Sequence, residues 1–145
     1  KTQVKNLEKK FIKVDNFKFD KDNTTFDILY NSDILITDWS GIALEFFFAF
    51  QKPIIFLDTP KKVYNNRYKE LKNIPIEIKI RNKIGFVINL NDIQNIKIAI
   101  QKVTKNKRNI NEMIKLRKRY VYNLGNSVNE GTKIIKKIYK KINYN

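Results

Sequence analysis

The stretch from Asn31 to Leu57 leaves this chain little choice of fold. An apolar run, Asp33-Ile34-Leu35-Ile36-Thr37, enters a polar turn, Asp38-Trp39-Ser40-Gly41. A helix opens from that turn and runs from about Ser40 to about Phe50. Lys52-Pro53 then lead into a second apolar run, Ile54-Ile55-Phe56-Leu57. Two buried strands joined by one helix make a βαβ unit, so the strands are parallel. The turn lies at the carboxyl end of the first strand, where open α/β sheets bind ligands. A helix start also presents unpaired backbone N–H groups and the positive end of the helix dipole, which suits an anion.

The rest of the chain extends this reading. Residues 1–10 read as the end of a helix and Phe11–Val14 as a short strand. Thr24 reads as the cap of a short helix carrying Phe26, Leu29 and Tyr30, with Asp27 three positions on. The helix after the turn holds Phe46, Phe47, Phe48 and Phe50, which leaves little polar face, so it is expected to be mostly buried. Residues 58–80, broken by Pro60 and Pro75, read as irregular. Gly85–Ile88 reads as a last short strand. Asp92 is expected to start a helix with Ile93, Ile96, Ile100 and Val103 on one face. Asn109-x-x-Glu112 and Ser127-x-x-Glu130 mark two more helix starts, and Gly125 sits where a C-cap glycine is expected. Met113, Leu116 and Tyr120 line one of these helices, and Ile135, Ile138 and Ile142 line the last. The fold class is therefore α/β, a partial Rossmann-like parallel sheet with flanking helices and a helical carboxyl-terminal tail. Residues 1–145 read as one domain, 1–90 its α/β part and 91–145 its helical tail. Three or four strands are few for a complete doubly wound domain, so the chain reads as the carboxyl portion of a larger protein.

Composition narrows the chemistry. The chain has no cysteine and no histidine. That removes disulfides, thiolate metal sites, the usual zinc ligand and the commonest general base. No metal or cofactor is expected. No run approaches the roughly 20 apolar residues of a membrane span. The net charge is +16, and residues 94–145 hold 14 of the 30 Lys/Arg but only 2 of the 14 Asp/Glu. Such a basic third is either a set of solvated lysine faces or a surface for an anionic partner: membrane lipid, nucleic acid or polymer. No nucleic-acid-binding signature is visible.

The residues Ser32-Asp33, Thr37-Asp38-Trp39-Ser40-Gly41, Glu45 and Lys52-Pro53 resemble the carboxyl-terminal domain of the CDP-glycerol glycerophosphotransferase family, the teichoic acid and capsule polymerases of GT-B glycosyltransferase-like architecture. Asp58-Thr59-Pro60-Lys61-Lys62 resembles a capsule-type branch. Arg119-Tyr120 through Gly125-Asn126-Ser127 resembles the family's closing segment. The likeness covers most of the chain and is dense in residues 31–60.

The resemblance implies that this domain binds a nucleotide diphosphate donor such as CDP-glycerol. Ser40, Gly41 and the backbone after Thr37 would hold the diphosphate. A plain N-cap explains Ser40 as well. Glu45, one turn into an apolar helix, would take the ribose hydroxyls; otherwise it pairs with Lys52 or the irregular segment. Asp38 is expected to orient the loop, and no second carboxylate lies near it in sequence to favour a metal. Trp39 reads as a plate for the base or as a wedge closing the cleft. Lys61, Lys62, Arg67 and Arg81, placed in the irregular segment, are candidates for phosphate contact or simply solvated.

The family's catalytic histidines are absent, and residue 1 lies just downstream of where its His-Pro motif is expected. The chain therefore reads as a donor-site portion of a transferase, inactive alone, that partners the missing amino-terminal domain. The whole protein is expected to be cytoplasmic and peripheral to the inner face of the cell membrane. A UDP- or GDP-sugar transferase of GT-B type, a basic nucleic-acid-binding module and a degenerate structural domain are the alternatives.

Overall fold

The computed structural model describes residues 2–20, 25–61, 67–70, 73–105 and 110–143. The expected caps at Thr24 and Asn109, and Lys62, lie outside the described residues. The chain forms two compact units, Lys1–Ser32 and Asp33–Asn145.

The first unit holds helices α1 (Thr2–Phe11) and α2 (Thr25–Asn31). The strand expected at Phe11–Val14 does not form. Phe11 ends α1, and two turns follow, with Val14 N–H donating to Phe11 C=O and Phe17 N–H to Val14 C=O, both at 3.0 Å. Aromatic side chains close this corner: the rings of Phe11 and Phe17 lie 4.7 Å apart, and Phe17 meets Phe19 edge-on at 5.3 Å. A lone strand has nothing to satisfy its backbone, whereas turns bond to themselves.

The second unit is the expected α/β structure. Strands β1 (Leu35–Thr37), β2 (Ile54–Asp58) and β3 (Phe86–Asn89) form a parallel sheet in the order β1-β2-β3. Helix α3 (Ile42–Phe50) joins β1 to β2, and α4 (Ile76–Ile84) joins β2 to β3. Then come α5 (Ile96–Lys105), α6 (Ile110–Tyr120) and α7 (Ser127–Asn143).

Strand β2 is central. Ile54, Ile55 and Phe56 are all buried, so a continuous apolar run replaces the alternation of a half-wet strand. Alternation still divides the two faces. Ile55 packs with Ile88 and Ala99, beneath Leu57, Ile96, Ile100 and Val103, on the α5 side. Phe56 turns the other way, toward Ala43, Leu44 and Ile84 of α3 and α4. Burying each of these large side chains stabilises the fold by about 1.5–3 kcal/mol.

Four expectations are corrected. The strand placed at Asp33–Thr37 is shorter and lies at the sheet edge, with Ile36 exposed. The irregular segment 58–80 contains a 3-10 turn, Tyr68–Glu70, and the start of α4. Asp92 does not start a helix: a 3-10 stretch over Leu90–Asn95 precedes α5, capped by the Asn89 side chain, which accepts from Asn91 N–H at 2.9 Å. Gly125 (φ 78°) does not cap α6. It belongs with Asn123 (φ 53°) to the reversal before α7.

Candidate functional site

The carboxyl ends of β1 and β2 share one rim, and the expected site residues sit along it. Thr37 ends β1, Asp38 and Trp39 form the bend, and Ser40 and Gly41 lead into α3. The helix starts two residues later than Ser40. Ser40 C=O accepts from Ala43 N–H at 3.3 Å, and Gly41 C=O accepts from Leu44 N–H at 2.9 Å. The Ser40 hydroxyl accepts from Ile42 N–H at 3.4 Å, a long bond that takes one of the N–H groups expected to be free. The N–H groups of Ser40 and Gly41 have no partner among the described residues. Gly41 has φ −60°, and a Cβ added there would meet open space within 4 Å. The backbone at Gly41 is thus open to solvent, and neither conformation nor crowding demands glycine.

Trp39 is tied down from two sides. Its indole Nε1–H donates to Thr59 C=O at 2.7 Å, which fastens the turn to the segment leaving β2. The guanidinium of Arg81 lies 3.6 Å from the centre of its ring, and Lys61 Nζ lies 5.1 Å away. The ring that reads in sequence as a base-stacking plate or a wedge therefore stacks here on a guanidinium, a favourable cation–π geometry.

Arg81 is the residue that sequence reasoning misplaced. It lies in helix α4, not in a solvated loop, and is only 4% exposed. Its Nη2–H donates to the Leu57 carbonyl at 2.9 Å, and Nη1 stands 3.6 Å from Asp58 Oδ1. Nε and Nη1 are buried without a hydrogen bond. Burial pushes the guanidinium down from the ordinary arginine range, and the carboxylates of Asp58 and Asp38 push it back up. By contrast Arg67 pairs with Glu70 at 2.7 Å in the exposed 3-10 turn.

Asp38, Trp39, Ser40, Ala43, Leu44, Phe56, Glu77, Arg81 and Ile84 line a crevice of about 10 Å³, room for about one water. Asp38 faces Arg81 closely enough to act on its charge, so it balances a cation as well as shaping the turn. Glu45 departs from expectation. It is exposed, makes no ion pair among the described residues, and stands outside the crevice lining. Its place in the sequence, one turn into an apolar helix, hid that the residues around it divide between a buried face (Ala43, Phe46, Phe47) and a wet one. Among the described residues no three acidic, His or Cys groups converge as a metal site would require.

A parallel sheet whose first strand runs through a polar turn into a helix is the class of α/β fold that seats ligands at the carboxyl rim. The chain belongs to the CDP-glycerol:poly(glycerophosphate) glycerophosphotransferase family, whose model matches residues 3–123. Membership implies a transferase. The family's description names CDP-glycerol and poly(glycerophosphate). No curated protein and no solved structure matches the chain. No helix among the described residues is long and apolar enough to cross a membrane.

Proposed function

We propose that residues 1–145 are the carboxyl-terminal, donor-binding portion of a larger GT-B-like transferase that builds a capsule or teichoic-type polymer from a nucleotide diphosphate donor such as CDP-glycerol. The observation that carries this reading is the turn Thr37-Asp38-Trp39-Ser40-Gly41. There two backbone N–H groups with no partner among the described residues and the start of α3 share a rim with a buried guanidinium. The donor diphosphate lies against Ser40 and Gly41, and Glu45, exposed one turn along, accepts from the ribose hydroxyls. An acceptor hydroxyl attacks the glycerol-bearing phosphorus. The new P–O bond replaces the one to the nucleoside monophosphate, which leaves with its charge stabilised by the helix start. The base that takes the hydroxyl proton comes from outside residues 1–145, since this chain has no histidine. On its own the chain turns nothing over.

The same reading places the protein at the inner face of the cell membrane. Support comes from α7, where Val128, Ile134, Ile135, Ile138, Tyr139 and Ile142, all exposed, fall within an arc of about 140°. Lys133, Lys136, Lys137, Lys140 and Lys141 occupy the remainder of that helix. Such a segregation suits an interfacial helix on anionic lipid.

Calorimetric titration tests the donor site. CDP-glycerol should bind more tightly than UDP-sugars and more tightly than a short DNA duplex. Gly41→Ala, which puts a methyl into the open space over the turn, and Glu45→Ala should each weaken it about tenfold, or roughly 1.4 kcal/mol. Equal affinity for wild type and both variants would remove the turn from the donor site, and preference for the duplex would sink the transferase reading.

A further inference from the structure

Buried arginines normally satisfy most of their five N–H donors, because an unpaired buried donor keeps its full desolvation cost. Arg81 does not. Only Nη2 is hydrogen-bonded, Nη1 reaches Asp58 at a loose 3.6 Å, and Nε has no partner, in a side chain that is 4% exposed. Its stacking on Trp39 and its bond to the Leu57 carbonyl use part of the cation, and two of its nitrogens are left with no hydrogen-bond partner among the described residues.

The position of this under-used charge matters. Arg81 lines the same crevice as Asp38, Trp39 and Ser40, at the rim where α3 begins. Trp39 stacks over it at 3.6 Å, held by a single hydrogen bond to the Thr59 carbonyl, and the Phe56 ring lies 4.9 Å away. The crevice beneath, about 10 Å³, has no room for a phosphate. An anion can reach the guanidinium only if the lining opens, and Trp39 is the part of that lining tethered by one hydrogen bond. The carboxylates facing it, Asp38, Glu77 and the 44%-exposed Asp58, are not locked onto it by short bonds.

We propose, resting on the donor-site reading above, that Arg81 is the cation that receives the donor's diphosphate, and that Trp39 is the cover that must swing off it. In the closed form the indole lies over the guanidinium face, and Nε and Nη1 are buried with no hydrogen-bond partner among the described residues. In the open form Nε and Nη1 donate to phosphate oxygens, which pair with a guanidinium far better than a ring does. Asp58 then keeps no more than a solvent-exposed contact. The turn thus couples occupancy of the Ser40–Gly41 N–H groups to the position of one aromatic ring.

Trp39 is the only tryptophan in the chain, so its emission reports this site alone. Inorganic pyrophosphate added to the 145-residue chain should shift that emission to the red, saturably, as the ring leaves the guanidinium for water. Arg81→Gln should weaken pyrophosphate at least tenfold and Arg81→Lys less. Lys97→Gln, which removes an equal charge from the exposed side of α5, should change it less than twofold. Should Arg81→Gln fail to fold, the Nε–Hε resonance of Arg81 in the wild-type chain decides, and it should move on titration. Wild-type affinity in a folded Arg81→Gln chain overturns the proposal, as does calorimetric binding with a silent Trp39. Shifts at the Ser40 and Gly41 amides with an unmoved Arg81 resonance discard Arg81 and leave the donor site standing. No pyrophosphate binding at all discards both.

Discussion

Gly85 shows how a single missing atom positions the site. Its backbone is extended (φ −143°, ψ 176°), a conformation any residue adopts. Space is what excludes a side chain: a Cβ there would overlap the Phe56 ring and lie 2.9 Å from the Ile54 carbonyl oxygen. Gly85 lets α4 hand over to β3 directly against β2, which keeps Arg81, one turn back, over the rim. Gly85→Ala is expected to destabilise the fold by about 1–3 kcal/mol, read as a lower urea midpoint with unchanged m. A midpoint equal to wild type would mean that α4 has room to retreat. The position of Arg81 was not legible in the sequence, and the reason is local. Ile76-Glu77-Ile78-Lys79-Ile80 alternates with period two and Pro75 stands before it, so it reads as part of the irregular segment 58–80. The helical period lies in Ile76, Ile80 and Ile84, of which Ile80 and Ile84 are buried while Ile78 is exposed. Arg81 shares the buried side by following Ile80.

At the scale of elements, α3 depends on how it stops. Gln51 takes the left-handed conformation (φ 56°) and its N–H donates to the Phe47 carbonyl at 2.9 Å. The next carbonyl, Phe48, is met from across the fold by Arg117 Nη1 of α6 at 3.3 Å. A cation at a helix C-terminus complements the dipole and satisfies a carbonyl the helix cannot. Arg117→Met should therefore cost about 1–2 kcal/mol and lower the melting temperature by several degrees, while pyrophosphate affinity at the far end of α3 stays within twofold. A large loss of affinity would show that both ends of α3 move together. The βαβ core was legible because a strand buried on both faces writes itself as an unbroken apolar run, as in Ile54–Leu57. Some ends were legible too, Phe50 for α3 and Ser127 for α7, but the start of α5 was not, because a cap such as Asn89 acts through a side-chain bond that propensity does not display.

For the whole molecule, the question is what the basic helical third does. None of α7 is buried, although its apolar face carries four isoleucines, a valine and a tyrosine. Periodicity made that face visible in the sequence through Ile135, Ile138 and Ile142, but not what covers it. The structure leaves it on the outside. If α7 serves at a membrane surface, the chain should co-sediment with anionic vesicles at low salt and be released at high salt. Each lysine near the surface adds about 1 kcal/mol, and screening sets in over about 10 Å at 0.1 M salt. Neutral vesicles and duplex DNA are the controls. Ile138→Asp should abolish anionic-vesicle binding without touching the melting temperature. Equal binding to all three surfaces would leave the lysines as a solvated face, and a preference for DNA would revive the nucleic-acid alternative.

The order β1-β2-β3 follows the chain, and this has a kinetic meaning. Ile36 finds Ile55 and Leu57 finds Ile88 by closing segments of about 20 and 30 residues, whose entropic costs differ by only about 0.4 kcal/mol. No pairing waits for a distant part of the sequence, so the sheet assembles by neighbourly addition to β2. Opening runs the same course backwards. Amides of the edge strand β1 exchange with solvent through small local excursions, whereas those of Ile55 and Phe56, clasped on both sides, exchange only when the entire sheet comes apart. The rim that carries Thr37 and Asp38 is thereby free to breathe on a floor that is not.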